Sequence, residues 1–438
     1  MDFDAQTDLA KQAEACTPED IAKALVTPAA FAEPDQMHER LTWLRNNQPV
    51  SKVIAPNADP FWFVAKHADI LEIERQAEKF HNGDLSTVFI AADMRNAVEQ
   101  AQGSPHLTRT MVNMDGKEHR VYRGLTQSWF MPAKVKKLTD RIRAIAKDHV
   151  DRMLERGNEC DFVEDVALHY PLHVVMDILG VPPEDEGKML VLTQQLFGAR
   201  DPEKGRSAAD MSDPASALGV FQAVLGDFFG YFGAITEDRR TNPRDDLATV
   251  IANAEIDGAP ISDYEANSYY VLVATAGHDT TSASTAGAIM ALAQNPDQFA
   301  AIQRNPELIG NGLVDEAIRW TTPVKHFMRA ATQDYELRDQ LIRKGDWLML
   351  SYMSGNRDEE VFSDPFKFDV TRSPNNQIAF GFGPHLCLGQ HLARLEMRIL
   401  LEELLPRLKT LEPLGETDWT QSVFISGPKH LPIRFTTK

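Results

Sequence analysis

Three cysteines, Cys16, Cys160 and Cys387, stand in a chain of 438 residues, and the neighbours of the last suggest chemistry. It lies in Phe380-Gly-Phe-Gly-Pro-His-Leu-Cys387-Leu-Gly389. Gly381, Gly383 and Pro384 disfavour a regular helix or strand, and predict a tight loop whose backbone can approach something flat and large. Beyond it Leu388, Leu392, Leu395, Ile399 and Leu404 recur at helical spacing until Pro406. Cys387 is therefore expected just before a helix N-terminus, where main-chain N–H groups and the macrodipole favour a thiolate. A thiolate held this way suits an axial iron ligand. Two other readings stand beside it. One is a free thiol buried as a small hydrophobe. The other is a zinc site from His385, Cys387 and His391, which lacks a fourth ligand.

A second polar cluster, Ala276-Gly-His-Asp279-Thr280-Thr281, interrupts a long apolar helical run. The capping box Ser262-Asp-Tyr-Glu265 opens that run and Asn295-Pro296 ends it. At 1.5 Å per residue the rod is about 50 Å long, and its apolar stretch through Ala276 requires burial. Glycine, aspartate and paired threonines are weak helix formers, and threonine hydroxyls can take carbonyls from the ladder and open a kink. Asp279 and Thr280 then form an acid–alcohol pair, or else a polar face that touches solvent. Farther upstream, His119 and Arg123 are four apart and share one helical face, as an anion grip or as an exposed basic pair. Glu316 and Arg319, three apart, read by default as an ordinary surface pair.

Together these segments resemble the cytochrome P450 family, whose signature Phe-x-x-Gly-x-His/Arg-x-Cys-x-Gly is met at every fixed position from Phe380 to Gly389. The resemblance implies haem b with Cys387 as axial thiolate, in a loop shaped by Phe380, Gly381 and Gly389, and with Ala276 against the cofactor. It implies propionate contacts from His119, Arg123, Arg329 and His385. Asp279 would relay protons, and Thr280 would hydrogen-bond the dioxygen being activated. Glu316, Arg319 and Arg372 would be scaffold, locking the loop beneath the haem. Leu272, Thr275, Ala276, Val324 and Phe424 would touch substrate. Tyr170-Pro-Leu-His-Val-Val-Met176, Ala274-Thr-Ala-Gly-His-Asp-Thr-Thr281, Asn356-Arg-Asp-Glu-Glu-Val-Phe362 and Cys387-Leu-Gly-Gln-His-Leu-Ala393 are similar to the bacterial terpineol-hydroxylating branch.

The implied activity is a haem-thiolate monooxygenase hydroxylating a small apolar substrate with dioxygen. That substrate is a monoterpenoid such as terpineol, or a small aromatic or alicyclic hydrocarbon. Electrons would come from an iron–sulfur ferredoxin and its reductase, with NAD(P)H used only indirectly, because the chain carries no Gly-rich dinucleotide fingerprint. Arg120, Lys134, Lys136, Lys137, Arg394 and Arg398 form a docking patch in this reading, or scattered surface charges otherwise. The rivals are a peroxide-driven peroxygenase, which has less need of Asp279 and Thr280, and a non-catalytic haem-based binder of small ligands.

The elements that position these residues follow from pattern. Val50–Val53 and Phe61–Val64 predict a hairpin. Residues 81–108 read as a polar irregular lid, and Asp201–Pro214 as a mobile loop. Helical periodicity covers 134–180 and Phe221–Phe232, and the period shortens to that of strands after Pro323. Val423–Pro428 reads as a strand and turn. The fold class is mainly α with a smaller β-sheet region (about 45–65 and 324–355), as one domain over 1–438 and a monomer by family default.

A hydrophobic share of 43% and a charged share of 25% are ordinary for a globular chain. The net charge of −19 argues against nucleic acid and anionic membrane partners. An acidic N-terminus, three scattered cysteines and the absence of a membrane-length apolar run point to a reducing cytoplasm, and the family resemblance implies a bacterial source, since eukaryotic members usually carry a membrane anchor.

Overall fold

The structure, a computed structural model, describes residues 14–197, 201, 203, 211 and 213–438. Its central element begins at the expected capping box. Ser262 Oγ accepts from the Glu265 N–H at 3.3 Å, and the Glu265 carboxylate accepts in return from Ser262 N–H and Oγ. From there the helix runs unbroken over Asp263–Gln294. Thr275, Thr280 and Ser284 each donate a hydroxyl to the carbonyl four residues back, at 2.7, 2.8 and 2.9 Å, and the helix continues through all three. Three other helices, His169–Leu179, Pro214–Thr241 and Val314–Thr321, pack against it. That crowding explains Gly277, where a Cβ would lie 2.6 Å from Val175 Cγ2 on His169–Leu179.

Both β-rich stretches join one five-stranded sheet, in the order Val50–Val53, Phe61–Val64, Trp347–Ser351, His326–Ala331, Phe80–His81. The hairpin is antiparallel, and Trp347–Ser351 lies parallel to Phe61–Val64. In His326–Ala331 every residue but Phe327 is buried, and Arg329 lines the central cavity.

Four expectations need correction. Residues 81–108 are not irregular throughout, for Ala92–Gln102 is a helix ended by Gly103 at φ 64°. Val423–Ser426 is not a strand. It approaches through an isolated bridge between Ile425 and Val324, and the strand starts at Pro428. Most of Asp201–Pro214 lies outside the described residues, but Asp201 itself is buried and anchored. It accepts from the Gln421 N–H at 3.1 Å and lies 3.5 Å from Lys429 Nζ. Finally, Pro214–Thr241 is long and apolar enough to cross a membrane by length and composition. Here it stacks Phe232 on Tyr270 of the central helix, with ring centroids 5.0 Å apart.

Candidate active site

The loop from Phe380 to Gly389 closes on itself through the Cys387 N–H, which donates to the Phe380 carbonyl at 2.9 Å. Gly381 and Gly383 both lie in the left-handed region, at φ 70° and 69°. At Gly383 a side chain is also excluded by space, since a Cβ would stand 2.5 Å from the Glu74 carbonyl oxygen. Arg123 reaches across to donate to the Leu386 carbonyl at 2.7 Å, and the Arg394 guanidinium lies 4.4 Å over the Phe380 ring. The cysteine helix follows at once, over Gln390–Leu404.

Burial pushes the Cys387 thiol up, against the Gly389 main-chain N–H and the charges of Arg123 and Arg394, which pull it down. Burial therefore outweighs the helix terminus that the sequence pointed to. A coordinated cation would reverse the balance.

Cys387 opens into a cavity of about 240 Å³, large against the roughly 10–15 Å³ that one water requires on the same measure. At one edge stand His119, Arg123, Arg329 and His385. The His119 and His385 rings lie 4.1 Å apart. Burial and then the charge of Arg329 press His385 down to about 2, and burial and Arg123 also lower His119. The acids beside this edge are Glu74 and Asp115. Glu74 is 3.1 Å from Arg329 and accepts from the Tyr352 hydroxyl at 2.6 Å, and Asp115 is 3.9 Å from His385. Asp115 also accepts from the Asn82 and Gly83 N–H groups. Two guanidiniums and two neutral imidazoles, all able to donate, fit a group that brings its own carboxylates. A thiol-bearing loop beneath a broad cavity fits a flat metal-bearing group.

The rest of the wall is mostly apolar. Leu272, Ala276 and Val324 line it, as do Val273, Phe327 and Met111, which the sequence did not single out. Two expected contacts are elsewhere. Thr275 is buried with its hydroxyl on the Val271 carbonyl, outside the lining. Phe424 packs edge-on against Phe327 and His326, at 5.6 and 5.8 Å, and backs the wall instead of forming it.

The acid–alcohol pair is split between two spaces. Thr280 faces the large cavity. Asp279 faces a separate small pocket shared with Gln194, Ser282, Thr420 and Ser426 as well as Leu168, Ala283 and Ile425, and its Oδ2, which accepts no hydrogen bond among the described residues, lies 3.7 Å from His278 Nδ1. His278 is fully buried and held by the Leu168 carbonyl at 2.8 Å and Thr193 at 3.0 Å, as expected of a structural histidine.

Sequence reasoning missed Glu396. It is buried on the cysteine helix, lines the cavity, is near enough for a hydrogen bond from Thr281, and leaves Oε2 without a partner. Burial holds its carboxyl well above the ordinary value. The signal was available, because position 396 shares a helix face with Leu392 and Leu400.

Below the loop, Arg319 grips Glu316 with two bonds of 2.8 Å, both side chains at 0% exposure. Arg372 Nε adds bonds of 3.1 and 3.2 Å to the same carboxylate, and Arg319 also donates to the Asn356 and Pro365 carbonyls. Arg394 and Arg398 are already engaged, with Asp315 at 3.0 Å and Glu402 at 2.6 Å.

The sequence profile of the cytochrome P450 family matches residues 83–428. The chain belongs to the cytochrome P450 family. This P450 is 46% identical to cytochrome P450-terp of a Pseudomonas species, over 97% of this chain and 99% of that one. It is 33% identical to linalool 8-monooxygenase of Pseudomonas putida, over 92% and 96%. Among solved structures it matches CYP108D1 of Novosphingobium aromaticivorans with a TM-score of 0.89 and 45% identity, over 97% and 100%. A Mycobacterium marinum P450, CYP268A2, solved with pseudoionone, matches at 0.85 and 30%, over 97% and 100%. The protein is thus a P450 monooxygenase, of a family whose cofactor is a haem-thiolate.

Proposed function

We propose that this P450 hydroxylates a small apolar substrate of monoterpenoid size, with haem b ligated by Cys387 and electrons delivered by an iron–sulfur ferredoxin and its NAD(P)H-dependent reductase. The observation that carries the reading is a single cavity joining the Cys387 loop, an edge of two arginines and two histidines, and an apolar wall. The relatives named for P450-terp and for linalool 8-monooxygenase support the substrate class. When bound, the haem supplies dioxygen activation and accepts the electrons.

The chain's own residues supply position and proton traffic. Cys387 is the ligand, and its loop is fixed by the Phe380 carbonyl and by Arg123 through Leu386. His119, Arg123, Arg329 and His385 orient the cofactor through its carboxylates. Leu272, Ala276, Val324 and Phe327 hold the substrate and exclude water from it. Thr280 presents a hydroxyl to the cavity, and Asp279, whose Oδ2 accepts no hydrogen bond among the described residues and lies 3.7 Å from His278 Nδ1, feeds protons toward it from the small pocket behind.

The first test is spectroscopic. The reduced protein with carbon monoxide should show the red-shifted Soret band of a thiolate-bound haem, and Cys387→Ser should lose it. Titrating the ferric protein with monoterpenoid alcohols should move the Soret band toward high spin. Retention of the thiolate band in Cys387→Ser would overturn the ligand assignment.

A further inference from the structure

Two buried side-chain oxygens on the cavity wall have no hydrogen-bond partner among the described residues, Glu396 Oε2 and Asn82 Oδ1. The second has a fixed orientation. Asn82 is 3% exposed, and its main-chain N–H is pinned to the Asp115 carboxylate at 3.0 Å. Its amide Nδ2 donates to the Val112 carbonyl at 3.0 Å. A carbonyl can only accept, so turning the amide over would set two acceptors against each other. Nδ2 therefore stays on Val112, and Oδ1 is left as an acceptor with no donor.

A buried amide oxygen is disfavoured without a donor. Haem carboxylates cannot supply one, being acceptors themselves. The side chains of Met111 and Val112 beside it supply none either. We propose that Asn82 Oδ1 accepts a hydrogen bond from a substrate hydroxyl, so that the cavity selects a small apolar alcohol over the matching hydrocarbon. This rests on the monooxygenase reading above and narrows its substrate class. A site built to pair a hydroxyl rejects the analogue lacking it, because the analogue leaves the site's polar group unpaired.

The test compares matched pairs by Soret titration: α-terpineol with p-menth-1-ene, which lacks only the hydroxyl, and 1-phenylethanol with ethylbenzene. Wild-type protein should bind the alcohol of at least one pair about tenfold more tightly. Asn82→Leu should bring that ratio close to one, chiefly by weakening the alcohol. Equal affinities within both wild-type pairs, or no binding of either alcohol, would overturn the proposal. So would an equal loss for both members of a pair in Asn82→Leu, which is the mark of a residue that only holds its loop. Should Asn82→Leu fail to take up haem, the wild-type ratios still decide. Absence of the thiolate carbonyl band from wild-type protein sinks the functional reading and this inference together, whereas a normal band without alcohol preference sinks this inference alone.

Discussion

Thr280 and Asp279 are adjacent in sequence, yet open onto different spaces, and this division predicts different defects. The Thr280 hydroxyl rests on the Ala276 carbonyl at 2.8 Å and faces the large cavity. Thr280→Ala should still bind substrate and accept electrons, but release peroxide in place of product, so that the ratio of product to NAD(P)H falls sharply. Tightly coupled turnover by this variant would refute the role. Asp279→Asn keeps the shape of the small pocket and removes the carboxylate, so turnover should fall on the order of 10²-fold with little change in substrate affinity. Glu396 yields a prediction about stability. Burial raises its carboxyl above the ordinary 4.5, so the unfolded chain releases that proton first as pH rises. Stability is therefore lost with rising pH from about 4.5 upward, until the folded carboxyl itself ionises. Glu396→Gln cannot ionise. Its Tm should exceed that of wild type at neutral pH, and the two should converge as pH approaches about 4.5. A gap unchanged by pH would mean that the carboxylate is paired in the folded protein.

At the scale of elements, the cysteine loop rests on a buried pair whose removal should be costly. Glu316 accepts from Arg319, Arg372, Asn375 Nδ2 and the Asp369 N–H, so truncation strands several donors at once. Glu316→Ala should lose about 3–5 kcal/mol, read by urea denaturation, and should take up haem poorly. Arg319→Lys should also be harmful, because an ammonium cannot reproduce the two-bond fork and the contacts to Asn356 and Pro365. The residues of this network alone read as a surface pair, and only the family resemblance implied its buried role, whereas the loop above it was legible. The loop and the capping box are local devices, and two or three residue types specify each. Ala92–Gln102 was not legible because only Met94 and Val98 are buried on it and its N-cap, Ala91, offers no side-chain acceptor. Thr275 was misplaced for a geometric reason. Residues 272 and 276 share a helix face, while 275 is turned about 100° away from 276, and sequence alone does not say which face meets the cavity. Phe424 lies in an irregular stretch, where no period exists to orient a side chain. Asp279's separate pocket depends on Gln194, Thr420 and Ser426, drawn from distant parts of the chain, and was beyond any local pattern.

For the whole molecule, net charge and partner pull in opposite directions. If the proposed ferredoxin is acidic, a chain of −19 repels it at long range, so attraction has to be local and within about a Debye length, roughly 10 Å at 0.1 M salt. Arg394 and Arg398 are poor choices for that contact, since Asp315 and Glu402 already neutralise them, and Lys134 is 3.3 Å from Asp245. Arg120, Lys136 and Lys137 are exposed and have no ion pair among the described residues. Arg120 also lies on the same helix as His119 and Arg123, which places it near the cofactor's edge of the cavity. Arg120→Glu and Lys137→Glu should therefore raise the KM for ferredoxin about tenfold at low ionic strength, with kcat at saturation nearly unchanged. The effect should shrink as salt is added, and substrate-induced spin shifts should be unaffected. Arg398→Glu should do much less, because it exchanges a neutralised pair for two adjacent acids away from the free charges. If Arg398→Glu impairs ferredoxin-driven turnover while Arg120→Glu does not, the partner docks along the cysteine helix and breaks the Glu402 pair as it arrives.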